Sequence, residues 1–173
     1  MANVQTMMVP EFQKVLERLN VEIAKLKYKS ERGLVEAALF IRNDTEKTPF
    51  VTPVDYGNLR ASWFITSSAG EEKDPLGHSK KFKNNPKRKI PASTFREWHS
   101  SAVNEALANS VSSANSDIRN VFFGYSANYA MWVHENQTAT FKREGSGPRW
   151  FMNSVDRNHD KLLKIIAETS RIK

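Results

Sequence analysis

The stretch Pro53-Val54-Asp55-Tyr56-Gly57-Asn58-Leu59-Arg60-Ala61-Ser62-Trp63 decides how the rest of the chain is read. Before it the sequence is patterned as helix; after it the sequence turns to strand. Pro53 fixes its own φ and biases Thr52 away from helical geometry, so no helix runs through this point. Asp55 is placed to cap the short turn that follows, and Gly57 supplies backbone freedom. Leu59 is the one aliphatic anchor of the turn. Trp63-Phe64-Ile65-Thr66 has strand composition. The stretch therefore reads as a helix-to-strand corner.

On the N-terminal side, Phe12, Val15, Leu16, Leu19, Ile23 and Leu26 fall at offsets 0, 3, 4, 7, 11 and 14, one face of an α-helix. Pro10 suits the first turn and Glu11 the positive end, while Lys25, Lys27 and Lys29 suit the negative end. Gly33 interrupts at a cost of about 1 kcal/mol relative to alanine. A second apolar set, Leu34, Val35, Ala38, Leu39 and Ile41, ends near Glu46. The pattern predicts an N-terminal helix pair, or one kinked helix.

On the C-terminal side, residues 62–68 are expected as a strand with Trp63 and Ile65 on one face and Phe64 on the other. Residues 69–92 read as a loop. It holds Lys80-Lys81-Phe82-Lys83-Asn84-Asn85-Pro86-Lys87-Arg88-Lys89, six basic residues in ten. A loop of this length is usually functional or disordered. Thr94-Phe95-Arg96-Glu97 has capping-box spacing and opens a helix with a thin stripe of Phe95, Trp98, Ala102, Val103, Ala106 and Leu107. Residues 110–116 read as a frayed end or linker. Residues 118–125 are a second strand, with Val121, Phe123 and Tyr125 opposite Phe122. Residues 128–135 continue as strand or form a helical turn, and 137–147 are loop. Pro148 begins a last helix, carrying Met152, Val155, His159, Leu162, Leu163 and Ile166 to about residue 169.

The 173 residues are expected as a single domain, 1–173, with 69–117 as an insertion. There is no cysteine, which excludes disulfides and thiolate metal sites. No apolar run reaches the roughly 18 residues a membrane span needs, and residues 1–6 lack the basic and apolar regions of a leader. The net charge of +7 suits a polyanion or an acidic protein partner.

Little in the chain carries chemistry. His78, His99, His134 and His159 have no second ligand at metal spacing, and His134-Glu135 are mere neighbours. His159 falls on the apolar stripe of the last helix and is expected to be buried. There is no Gly-x-Ser-x-Gly elbow and no Gly-rich phosphate loop. Asp55, His134 and Glu135 would be the members of any hydrolase site. The expectation is a protein that is not an enzyme and uses no metal or cofactor. The sharper feature is the basic arm: Lys80, Lys81, Lys83, Lys87, Arg88 and Lys89 can neutralise phosphates, and Phe82 can stack on an exposed base. The plainer reading is a solvated loop that orders against a neighbouring subunit.

Three stretches in order resemble one family. Residues 53–62 resemble a P-V-D-T-G-x-L-R-x-S corner, with Tyr56 in place of threonine. Tyr129-Ala130-Met131-Trp132-Val133-His134-Glu135 resembles Y-A-x-x-V-E-x-G, with His134 added and Asn136 in place of glycine. Gly147-Pro148-Arg149-Trp150-Phe151-Met152-Asn153-Ser154-Val155 resembles P-R-P-F-L-x-x-A-L at the head of a C-terminal helix. Together they are similar to the tail-completion, or tail-terminator, proteins of tailed bacteriophages, sometimes labelled minor capsid proteins.

The resemblance implies an α+β fold: a small antiparallel sheet packed by an N-terminal helix pair and a C-terminal helix. It implies a structural virion protein that forms a ring, usually a hexamer, at the head–tail junction. Such a protein assembles in the host cytoplasm and joins other neck, tail-tube or connector proteins, with genomic DNA passing through the lumen and no membrane partner. Trp98, Trp132 and Trp150 are then candidate subunit-interface anchors, because tryptophan dominates interface hot spots. The alternative is a non-sequence-specific DNA-binding protein that uses the arm at residues 80–89.

Overall fold

A computed structural model of the protein describes residues 10–171 except 48, 50 and 115–117, without the side chains of residues 10–13, 16 and 114. The elements are α1 (Pro10–Asp44), α2 (Asn58–Ala61), β1 (Trp63–Ser67), β2 (Gly70–Glu71), α3 (Ala92–Ala114), β3 (Phe122–Tyr125), α4 (Ala130–Glu135), α5 (Trp150–Arg157) and α6 (His159–Ser170). The fold is α+β, built on a three-stranded antiparallel sheet of order β2-β1-β3.

Alternation along β1 divides the core, as the pleat requires. Trp63 and Ile65 are buried against Val35 and Ala38 of α1, with Val121, Phe123 and Tyr125 beside them. Phe64 and Thr66 face α3: Phe64 lies edge-on to the His99 ring, and the Thr66 and Ser110 hydroxyls are 3.1 Å apart. The sheet is thus held between α1 and α3.

The segments expected as a helix pair are one continuous helix of 35 residues. Gly33 does not break it. A Cβ there would sit 3.1 Å from the backbone Cα and carbonyl oxygen of Ile166. The missing side chain is what lets α6 pack antiparallel on α1, and that packing offsets the glycine's helix cost. Lys161 covers the Phe40 ring at 4.4 Å, and Lys29 Nζ donates to the Arg171 carbonyl at 2.8 Å. The expected single C-terminal helix is divided at Asn158. Its Nδ2 donates to Asp44 Oδ2 at 2.9 Å, and the same oxygen accepts from Ser154 Oγ and Arg157 Nη2 at 2.6 Å each. One carboxylate at the end of α1 sets the junction between α5 and α6.

Other boundaries move for local reasons. Asp55 makes no cap; Gly57, at φ 85°, holds the N-cap position of α2 without a side-chain hydrogen bond. The α3 helix begins at Ala92 rather than Thr94, because Asn84 Oδ1 accepts the Ala92 N–H at 2.8 Å. It runs on to Ala114, through most of the expected linker, because Ser110 is buried against Thr66; residues 115–116 of that linker lie outside the described residues. The second strand is limited to Phe122–Tyr125, the residues that find partners on β1. Residues 130–135 are helical.

A buried charge cluster joins α1 to the loops. Arg42, with no exposure, donates through Nε to Asp74 Oδ1 at 3.0 Å and through Nη1 to Glu46 Oε1 at 3.3 Å. Glu46 also accepts from Arg60 Nε at 3.0 Å and Arg143 Nη1 at 2.6 Å. At the other end of the sheet, the buried Glu31 carboxylate takes the Ser68 backbone N–H and, at 2.8 Å, its hydroxyl.

Gly33→Val should lower stability by about 1–3 kcal/mol, as overpacking does, measured by urea unfolding. Asp74→Ala leaves the buried Arg42 with Glu46 as its carboxylate partner and should lower stability by about 3 kcal/mol, the lower end for breaking a buried pair, in the same assay.

Candidate partner-binding surfaces

The three stretches that carry the resemblance meet in one apolar cluster. Leu59, Ala127 and Trp150 are its buried centre, with Tyr129, Val133 and Phe151 packed around them. The Arg149 N–H donates to the His134 carbonyl at 2.7 Å, so the third stretch is tied to the end of α4. The His134 ring stands edge-on to Trp150 at 4.8 Å.

The corner also pins the basic arm. Asn58 is buried; its Nδ2 donates to the Lys83 carbonyl and its Oδ1 accepts the Lys83 N–H, both at 2.8 Å. Asn85 and Ile90 exchange two backbone hydrogen bonds, at 2.8 and 3.1 Å. Lys80 and Lys89 adopt left-handed backbone geometry, with φ 65° and 53°. Phe82 is not free to stack on a base. It is buried, parallel to the Phe95 ring at 6.1 Å and edge-on to His99 at 5.4 Å. Residues 80–89 thus form a folded arm rather than a slack loop.

The arm's charges are displayed outward. Lys81, Lys83, Lys87, Arg88 and Lys89 are exposed. Lys80 is also exposed, but its Nζ pairs with Glu71 at 2.6 Å. The Arg88 guanidinium lies 5.3 Å from the centre of the Tyr129 ring, and burial pushes the Tyr129 hydroxyl up to about 12. Corner and arm border a cleft of about 280 Å³, which also receives Asp55 and Lys142, 3.8 Å apart.

The three tryptophans differ in place. Trp150 is 1 % exposed and fills its own core, so burial removes it from the set of interface anchors. Trp98 is half-buried, edge-on to Phe95 at 5.4 Å. Trp132 is 80 % exposed, beside Met131 at 75 %.

A second, larger groove of about 870 Å³ follows the outer edge of β3 between α3 and α5. Phe64, Ala106, Phe123, Met131, Phe151 and Met152 supply apolar walls. His134 and Glu135 belong to this groove, whereas Asp55 belongs to the cleft. The three residues expected of any hydrolase site are therefore split between two places. His134 Nδ1 lies 2.5 Å from Glu135 Oε1.

A further polar contact escaped the sequence: Ser126 with His99, near Glu71. His99 Nδ1 is 2.9 Å from Ser126 Oγ, whereas His99 Nε2, 3.7 Å from Glu71 Oε1, makes no hydrogen bond among the described residues. The Ser126 hydroxyl donates to the Ser62 carbonyl at 3.1 Å, so it accepts from His99 rather than giving up its proton to it. This is a brace between α3 and the sheet, not a nucleophile with its base. The buried histidine is His99, whereas His159, expected inside, is exposed. Among the described residues, no cluster of three or more His, Asp or Glu is arranged to hold a metal, and no helix is long and apolar enough to cross a membrane.

Comparison with family models, curated proteins and solved structures gives no match.

Burial holds His99 below its ordinary value, and burial with the Arg60 charge does the same to His78. A histidine kept neutral by folding is protonated more readily in the unfolded chain. Stability should therefore fall as pH drops through about 6.5, the unfolded histidine value. Urea unfolding at pH 7.5 and 5.5 should show the loss, and His99→Gln should reduce the difference between the two.

Proposed function

We propose that the protein is a structural subunit of the neck of a tailed bacteriophage, one of a ring, usually of six, that joins tail to head around the passing DNA. The observation that carries the reading is the apolar surface left uncovered on α1. Of the described side chains from 14 to 26, all are exposed except Glu22. Val15, Leu19, Ile23 and Leu26 stand among them on one face, at 57, 53, 40 and 40 % exposure. The side chains of Phe12 and Leu16, expected on the same face, lie outside the described ones. A stripe of this kind marks a contact surface in a protein that acts by assembly. Trp132 and Met131 add a second exposed patch elsewhere, which suits a head-to-tail contact between copies.

The resemblance of the three stretches supports the same reading. So does their shared core, since such a ring asks for rigid architecture rather than a reactive site. The exposed cations of the arm suit a role near DNA in the lumen. A free DNA-binding protein is the second reading, favoured by the outward display of Lys81, Lys83, Lys87, Arg88 and Lys89. No catalytic role is proposed.

Light scattering on the purified chain should give a closed species of about six copies. A lone chain at high concentration would overturn the ring. Replacing Lys80, Lys81, Lys83, Lys87, Arg88 and Lys89 with serine should leave the circular dichroism spectrum unchanged and reduce DNA passage or joining in assembled particles. Tight duplex binding by a monomer, lost steeply with salt, would favour the second reading instead.

A further inference from the structure

We propose that the β3-edge groove of one copy receives the free half of α1 from the next copy. This rests on the ring proposed above and names the contact that builds it. The two surfaces match in kind. The helix carries Val15, Leu19, Ile23 and Leu26 at offsets 0, 4, 8 and 11, a narrow stripe about 17 Å long. The groove offers apolar walls on either side of a strand that, among the described residues, has no strand neighbour on its outer edge. Laying a helix over such an edge is one way proteins protect it.

Charge agrees with the match. Lys14, Arg18 and Lys25 recur at a helical spacing that places them along one border of the stripe. Lys25 is shared with Glu22, at 2.7 Å, which leaves Lys14 and Arg18 as the leading charges of that border. The charged residues that line the groove are Glu105 and Glu135, with His134 alongside. A basic border thus meets an acidic rim, which steers and orients docking.

A chain does not satisfy its own groove. Arg42 stacks on Trp63 at the start of β1, and Glu31 holds Ser68 just past its end. These contacts lay α1 antiparallel to β1 and send its N-terminal half beyond the β1–β2 turn. The groove lies along another margin of the sheet, on β3. The fit is possible only between copies, and it joins unlike surfaces, as a closing ring requires.

The chain has no cysteine, so introduced pairs report cleanly. Leu19→Cys and Met131→Cys sit at exposed positions and should leave folding intact. In one chain, treated with a short bis-maleimide, they should give a ladder of covalent multimers; either alone should give none. Dimers from Leu19→Cys alone would mean stripe-to-stripe pairing and overturn the proposal. A ring by light scattering without the 19–131 ladder would overturn it while leaving the ring intact. A ladder that lengthens without closing would keep this contact and remove the ring. Monomer by both measures would remove both. Separately, Glu105→Lys with Glu135→Lys should raise the concentration needed for assembly about ten-fold at low salt, and Lys14→Glu with Arg18→Glu should restore it. Unchanged assembly in the first of these variants would count against the proposal.

Discussion

The structure depends on a charge that water cannot reach. Arg42 is wholly buried, and a guanidinium in that position survives only if its surroundings replace its hydration. Burial works against its charge, and the Asp74 hydrogen bond and carboxylate outweigh that effect; Asp74 is held below the ordinary aspartate value by the same pairing. Asp74 is positioned in turn by the backbone N–H groups of His78 and Ser79, at 2.7 and 2.8 Å. Glu46 gathers Arg42, Arg60 and Arg143 from the long helix, the corner and the loop before α5. Three distant segments therefore share one electrostatic account, and none can shift without exposing an unmatched charge in the interior.

How much of this was legible follows from what has a period. The face of α1, the alternation of Trp63 and Ile65 against Phe64, and the corner at Pro53 and Gly57 all write a local rule into neighbouring residues, and the structure repeats them. The failures have the opposite character. The break at Asn158 is imposed by Asp44, 114 residues away. The start of α3 answers to Asn84, and the order of the basic arm to Asn58 and to Phe82 beneath it. His99 was overlooked and His159 misplaced because one histidine on a helix face looks like another until its neighbours are known. Polar contacts between remote segments leave no repeat to read.

The family-like stretches occupy an unexpected position. Leu59, Tyr129 and Trp150 face inward and support one another, so the pattern they form constrains architecture rather than marking a contact surface. Of the surfaces left open, the helix stripe and the five outward cations carry no motif, whereas the edge groove is walled in part by Met131, Phe151 and Met152 of those same stretches. The proposed contacts rest on exposure and charge as well as on motif residues.

The unbroken course of α1 has a mechanical consequence. At 1.5 Å per residue, 35 residues make a spar about 52 Å long, clamped at Glu31 and Arg42 and exposed at Val15, Leu19, Ile23 and Leu26. No joint lies between clamp and tip, so a displacement of the tip turns the whole sheet with it. Torque applied outside the domain is delivered straight to its most deeply seated cation.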